Sequence, residues 1–287
     1  MFSILIPSFN NLNYLKLCIK SIVNNSKFNH QIIIHVNEGT DGTLDYLKNS
    51  NIEYTFTSYN AGICEGINKA SKLAKHEFFL YAHDDFYFCP NWDEYLYYEI
   101  KNIGHNNFYL SGTMMNNGHI PFDCGQNINE FNENKFLTEY KKYNYYDFQG
   151  STWAPTLVHK NVWNKVNGFS EEYFPGTGSD PDFNMKLWNI GIRIFKGINN
   201  CKVYHFGSII LRKKINFLKK NNYGSSGAKI FLMKWGITIK FFKKFYLKSN
   251  TKYEHPLSDP PINFKYLFNL FLCKINLLYI KLFYSKS

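Results

Sequence analysis

Three short segments carry side chains with chemistry to offer. Tyr81-Ala82-His83-Asp84-Asp85 closes an apolar run with adjacent carboxylates. Neighbouring carboxylates hold a hard divalent cation, Mn²⁺ or Mg²⁺, that can bridge the phosphates of a departing nucleotide diphosphate. An Asp pair after a strand serves equally as a turn or a helix cap. Gly176-Thr177-Gly178-Ser179-Asp180-Pro181-Asp182 precedes Phe183, Leu187 and Ile190 at helical spacing. Asp180 as N-cap with Pro181 at the first helical position makes a good helix start. A carboxylate at the mouth of a cleft can also take the proton of an attacking hydroxyl. Val203-Tyr204-His205-Phe206 places one His at the end of an apolar strand, where imidazole is structural in most settings and a metal ligand in some.

The elements that must position these segments follow from the apolar pattern. Residues 2–6 read as a strand, and Leu12, Leu15, Ile19 and Ile22 recur at helical spacing after them. Residues 32–36 repeat the strand, followed by a Gly39-Thr40-Asp41-Gly42 turn and a helix through Leu44 and Leu47. A third unit runs through residues 54–56, an Asn60-Ala61-Gly62 loop, a helix bearing Ile63, Ile67, Ala70 and Ala74, and a strand over 78–81. Strands apolar throughout, between amphipathic helices, are what a parallel sheet covered on both faces requires. The spacing predicts a doubly wound α/β unit over residues 1–105, with ligands at the carboxyl ends of its strands. Those ends, residues 7–10, 37–41, 59–62 and 83–85, are polar. Beyond them a strand is expected near 108–115, another around 152–158, and a short helix at Trp163. Residues 120–148 show little periodicity and read as a loop or an insertion. The acceptor side of a site is expected in this half.

Composition sets limits on the rest. With 287 residues at 45% hydrophobic content the chain can bury a full core, and its 19% aromatic content suits sugar-stacking clefts, membrane-facing surfaces or a coding bias. The net charge of +11 is uneven: residues 208–287 hold 16 of the 33 Lys and Arg against only Glu254 and Asp259, a local +14 that leaves residues 1–207 at −3. Six scattered cysteines, with no Cys-x-x-Cys pair, fit a reducing cytosol. The apolar run at the N-terminus is too short for a signal peptide and ends at Pro7.

Taken in order, these segments resemble the inverting family 2 glycosyltransferases with the GT-A fold, a mixed, mostly parallel sheet flanked by helices, across residues 1–208. Ile6-Pro7-Ser8-Phe9-Asn10 is similar to the family's opening Pro-x-Tyr-Asn, and Val36-Asn37-Glu38-Gly39-Thr40 to the Val-Asp-Asp-Gly-Ser that cradles the nucleobase. Asn60-Ala61-Gly62 through Asn68 resembles its Asn-x-Gly…Asn stretch, and His83-Asp84-Asp85 takes the place of its metal-binding acidic triplet. Ser179-Asp180-x-Asp182 stands where the family has Glu-Asp-x-Asp, and His205 matches a late His that joins the metal site.

The resemblance implies transfer of a sugar from a UDP- or GDP-sugar, with Mn²⁺ or Mg²⁺, to a hydroxyl of a glycan or lipid-linked glycan, with inversion. It implies Asp180 as catalytic base and Asp85 and His205 as metal ligands. Pro7, Phe9, Asn10, Glu38, Asn60, Gly62, Asn68 and Asp84 would surround the nucleotide-sugar, Asp84 meeting the ribose or the phosphates. Trp153 and Asp182 would lie beside the acceptor. The chain departs from the pattern at Asn37-Glu38 in place of Asp-Asp, at His83 in place of the first Asp of the triplet, and at Lys186 near where an Arg is common. The implied division is a GT-A domain over 1–208, its nucleotide-sugar half at 1–105 and its acceptor half at 106–208, followed by an extension over 209–287.

That extension interleaves Lys with Phe, Tyr, Leu and Ile. Two readings compete for it: a helix pair packed on the enzyme, and a surface for anionic lipid near a lipid-linked acceptor. Residues 264–284 have spanning length, but Lys265, Asn269, Lys274, Asn276 and Lys281 fall on both sides of any helix, which makes a span costly. A cytoplasmic enzyme, peripheral at the inner face of a membrane, is the expectation. A sugar nucleotidyltransferase would want a Gly-rich, basic loop after the first strand, and residues 7–10 offer neither feature. A non-catalytic RNA- or glycan-binding module would suit the basic tail, but the balanced charge of residues 1–207 argues against a nucleic-acid partner.

Overall fold

The computed structural model describes residues 1–150, 153–207 and 226–284. Its first apolar run is β1 (Ser3–Phe9), followed by α1 (Leu12–Asn25), β2 (Gln31–Asn37), α2 (Thr43–Asn49), β3 (Glu53–Thr57), α3 (Gly62–Ser71) and β4 (Phe78–Tyr81). These are the units that apolar periodicity predicts. β1 pairs in parallel with β2 and β4, and β2 with β3. Ile4, Leu5 and Ile6 of β1 meet Leu15, Ile19 and Ile22 of α1 and Ile67 and Ala70 of α3 in one buried core.

The second half extends the same sheet in the order β3-β2-β1-β4-β8-β6-β9-β5, with β7 beside β9. Here β5 is Phe86–Phe88, followed by α4 (Trp92–Ile103), β6 is Phe108–Asn116, β7 Phe148–Gln149, β8 Thr156–His159 and β9 Ile194–His205. β8 runs antiparallel to β4 and β6, and β5 and β7 antiparallel to β9, whereas β6 and β9 are parallel. The mostly parallel sheet is therefore correct for residues 1–81, but parallel and antiparallel pairs balance across the described residues.

Two expected segments differ in structure. β8 begins at Thr156, just beyond Pro155, which has no N–H to give to a ladder, and Thr152 lies outside the described residues. The stretch 120–148 is not a loose loop. It carries α5 (Glu133–Glu139), capped by Asn132, which accepts from Lys135 N at 2.9 Å. Phe122, Phe136 and Tyr140 pack there against Tyr87, Met115 and Tyr204 in a second apolar cluster. Apolar residues without period gave no warning of it, because the cluster is completed by β5, β6 and β9.

After α6 (Lys160–Lys165) and α7 (Ser179–Asn189), the described part of the extension forms α8 (Ser226–Trp235), α9 (Ile239–Phe245) and α10 (Phe264–Tyr284). Phe231, Phe241, Phe242, Leu257 and Cys273 join the same core as the sheet. Gln149 N donates to Thr251 O at 2.8 Å and Leu257 N to Arg193 O at 2.8 Å. The packed reading of the extension thus holds, with three helices instead of two. The expected boundary at 208 and the basic run after it lie outside the described residues. No helix of the described residues is long and apolar enough to cross a membrane.

Candidate functional site

Polar side chains tie the carboxyl ends of β1, β2 and β3 together. Asn37, buried at the end of β2, donates to Ser8 O at 3.3 Å and accepts from Ala61 N at 2.7 Å. Asn10 donates to Glu38 Oε2 at 3.2 Å and accepts from Thr40 N at 2.9 Å. Asn10 and Glu38 both have positive φ, 46° and 62°, conformations that non-glycine residues keep only where surrounding structure holds them. Asn60 accepts from Gly62 N at 3.0 Å. Gly62 opens α3 with φ +77°, and a Cβ there would meet the Phe174 ring at 3.0 Å and Pro175 O at 3.1 Å. Asn10, Glu38, Asn60 and Gly62 thus share one rim, and partly buried Phe9 ends β1 beside it.

Two residues expected on the rim are placed elsewhere. Pro7 is buried inside β1, two residues past Leu5, the last residue paired with β4. It shapes the strand end. The Asn68 amide donates to Phe169 O and to Glu171 Oε1, each at 2.9 Å, and accepts from Phe169 N at 2.9 Å. That amide staples α3 to the segment before α7, so its polar atoms are occupied.

At the end of β4, His83, Asp85 and His205 bring ligand atoms within 4.8 Å of one another. The antiparallel register that sets Phe86 opposite His205 carries the late His to this point. His205 Nδ1 lies 3.0 Å from Asn117 O. A carbonyl only accepts, so in the neutral ring the proton sits on Nδ1 and Nε2 faces Asp85 Oδ2 at 3.5 Å as a lone pair. A lone pair facing a carboxylate suits a shared cation. His83 Nδ1 lies 3.9 Å from Asp85 Oδ1, and its Nε2 lies 2.8 Å from the Tyr81 hydroxyl. Burial pushes the His83 imidazole down to about 4, outweighing the nearby Asp85 charge, so the ring is neutral in the form that binds metal. The residues therefore fit a divalent ion. Asp84 points to other work: it accepts from Ser8 Oγ at 2.7 Å, and burial followed by the Asp85 charge pushes its carboxyl up.

Asp180 lies in the first turn of α7, but the N-cap is Gly178 at φ 88°, not Asp180. Gly178 takes the left-handed conformation at the cap, which sets the helix start before Ser179 and releases the Asp180 carboxylate from capping. Asp180 Oδ1 is buried and has no hydrogen-bond partner among the described residues. Burial pushes this carboxyl up to about 7, with the Lys243 cation of α9 acting the other way. The Tyr81 hydroxyl is pushed up by burial first, then by the charge of Asp180, and also by Asp85. Both carboxylates therefore act on one tyrosine. Trp153 is exposed, with Lys243 Nζ 4.7 Å from its ring centroid.

Asp182 takes the opposite course. It is fully buried, accepts from Ser170 Oγ at 2.6 Å, Tyr173 OH at 3.1 Å and Trp235 Nε1 at 2.7 Å, and pairs with Lys234 at 3.0 Å. Residues two apart on a helix point about 200° apart, so Asp180 and Asp182 cannot face one pocket. Expected beside the acceptor, Asp182 instead clamps α8 onto the domain. Lys186 likewise donates to Gly168 O and Ser170 Oγ.

Sequence reasoning missed His83 as a ligand, Tyr81 as its neighbour, Ser8 as the partner of Asp84, and Lys243. The place of His83 in the segment matching the acidic triplet was the available signal for the first of these. Lys243 is one lysine among many in the extension and had none.

Residues 3–162 match the family model for Glycosyl transferase family 2. The chain is 26% identical over 229 residues to a hyaluronan synthase of Pasteurella multocida, a match covering 77% of this chain and 22% of that protein. The structure of S. aureus TarS 1–349 in complex with UDP aligns with a TM-score of 0.53 at 15% identity, over 71% of this chain and 59% of that one. A longer S. aureus TarS structure aligns with a TM-score of 0.54 at 12% identity, over 99% and 44%. The chain thus spans less than two thirds of each relative, and at these identities the structures speak for the fold alone. With the family model matching more than half of its length and a GT-A sheet beneath that match, the chain belongs to glycosyl transferase family 2.

Proposed function

We propose that the chain is a metal-dependent, inverting glycosyltransferase that moves a sugar from a nucleotide-diphosphate sugar to a hydroxyl of a glycan or lipid-linked glycan on the cytoplasmic side of a membrane. The observation that carries this reading is the His83, Asp85 and His205 ligand set together with the buried Asp180 Oδ1, which has no hydrogen-bond partner among the described residues, Asp85 and Asp180 both being close enough to Tyr81 to raise its pKa.

Two imidazoles with one carboxylate suit Mn²⁺ better than Mg²⁺, which prefers oxygen ligands. The bound ion would neutralise charge on the departing diphosphate. Asn10, Glu38, Asn60 and Gly62 orient the nucleotide, and Asp84 with Ser8 meets its ribose or phosphates. S. aureus TarS structures hold UDP and UDP-GlcNAc, which makes a UDP-sugar the first donor to test here. Asp180 accepts the proton of the acceptor hydroxyl while that oxygen bonds to the anomeric carbon. The bond from that carbon to the phosphate oxygen breaks on the opposite face, so the centre inverts. Trp153 offers an apolar ring for the acceptor sugar to stack on. Residues 1–105 form the donor half, 106–208 the acceptor half, and the extension contributes Lys243.

Thermal melts against UDP- and GDP-sugars with Mn²⁺ or Mg²⁺ test the donor and metal together, because a ligand that binds the folded state raises the melting temperature with concentration. A rise only with a UDP-sugar and Mn²⁺ is expected. No rise with any pair of sugar and ion would sink the reading.

A further inference from the structure

α10 has two apolar faces. Tyr266, Leu270, Cys273, Leu277 and Ile280 pack on the core of the enzyme. On the opposite side Phe264, Phe268, Phe271, Ile275, Leu278 and Leu282 form a second stripe, each between 47% and 84% exposed. At 100° per residue this stripe covers a roughly 80° arc centred opposite the packed one. Exposed Lys265 lies on one border, while exposed Lys274 and Lys281 lie on the other. The helix contains no Asp or Glu.

We infer that this outer face of α10 docks on an anionic phospholipid membrane, the helix lying flat with its apolar stripe among the acyl chains and its lysines at the phosphates. Charge complementarity selects this occupant. Lysines on both borders of an apolar arc can reach up to headgroups while their stems cover apolar surface. The +14 of residues 208–287 adds attraction to an anionic leaflet. A second copy would also cover the stripe, whose 3–4 spacing fits a helix–helix seam. Two such faces would then bring lysine against lysine with no acid on either helix to pair with. A span is excluded for this helix, which is too polar to cross. The inference does not depend on the donor, metal or base assignments.

Flotation of the full chain with phosphatidylcholine vesicles, with and without phosphatidylglycerol, tests it. The chain should float with the anionic vesicles, and far less with phosphatidylcholine alone. The triple variant Phe268→Ser, Phe271→Ser, Leu278→Ser should partition at least ~10²-fold more weakly, given what each buried apolar side chain contributes, while melting as the wild type does. Failure of the wild type to float, or equal flotation of the variant, overturns the inference. So does light scattering that shows a vesicle-free dimer turned monomeric by the variant, since the face would then belong to a second copy. None of these readouts involves sugar transfer, so a failed transferase assignment leaves them unaffected.

Discussion

The Tyr81 hydroxyl stands 2.8 Å from His83 Nε2. For His83 to offer Nδ1 to a metal, Nε2 must carry the proton and donate it to the tyrosine oxygen, so Tyr81 selects the tautomer as well as the ring orientation. Groups that orient a ligand in this way are commonly worth 10–100-fold in metal affinity. The same hydroxyl feels the charge of Asp180 as well as that of Asp85.

Tyr81→Phe should therefore weaken Mn²⁺ binding by roughly 10–100-fold while leaving the fold intact. His83→Ala and His205→Ala should weaken it further. Titration of the apo variants with Mn²⁺ by calorimetry or EPR checks this, and wild-type affinity in His83→Ala would remove that residue from the site.

Chelation addresses the same ligands from the other direction. EDTA should abolish transfer, and Mn²⁺ should restore it more fully than Mg²⁺ because two of the three donors are imidazoles. Full turnover in thoroughly chelated protein would remove the metal from the mechanism.

Asp180→Asn should keep donor binding and lose transfer by roughly 10²–10⁴-fold, the range for loss of a general base. The raised carboxyl has a second consequence. A group whose folded pKa is lifted from 3.8 to about 7 contributes stability at low pH that is lost as pH rises through about 7. The Asn variant, which cannot ionise, should consequently melt higher than the wild type at pH 8 and not at pH 4.

The pH profile of kcat/KM should fall about tenfold per unit below about 7, as Asp180 becomes protonated. Lys243 lowers this pKa by its charge. Lys243→Met should move the acid limb to higher pH, and an unmoved limb would show that α9 has no hold on the base.

Asp182→Ala should cost about 3 kcal/mol, since it strands the Lys234 ammonium, the Trp235 indole N–H and the Tyr173 hydroxyl that the carboxylate now satisfies. Chemical denaturation measures it. The surviving folded enzyme should keep a near-normal kcat, because the side chain faces α8 and not the acceptor.

The amino-acid pattern alone specifies the alternating strands and helices of residues 1–81, because apolar periodicity is a local property of chain and neighbours. It also determined that Asn10, Glu38, Asn60, Gly62 and Asp85 end those strands on one edge, since parallel crossovers return every strand in the same sense. Tertiary structure decided what depends on partners far along the chain. Only the pairing of β5 with β9 sets His205 beside Asp85 and turns His83 from a departure into a ligand. Only the docking of α8 gives Asp182 two of its four partners, Lys234 and Trp235, and only that of α9 brings Lys243 near Asp180. Burial, charge and hydrogen bonding at these positions are made by contacts about 50 to 120 residues apart along the chain, and no local pattern records them.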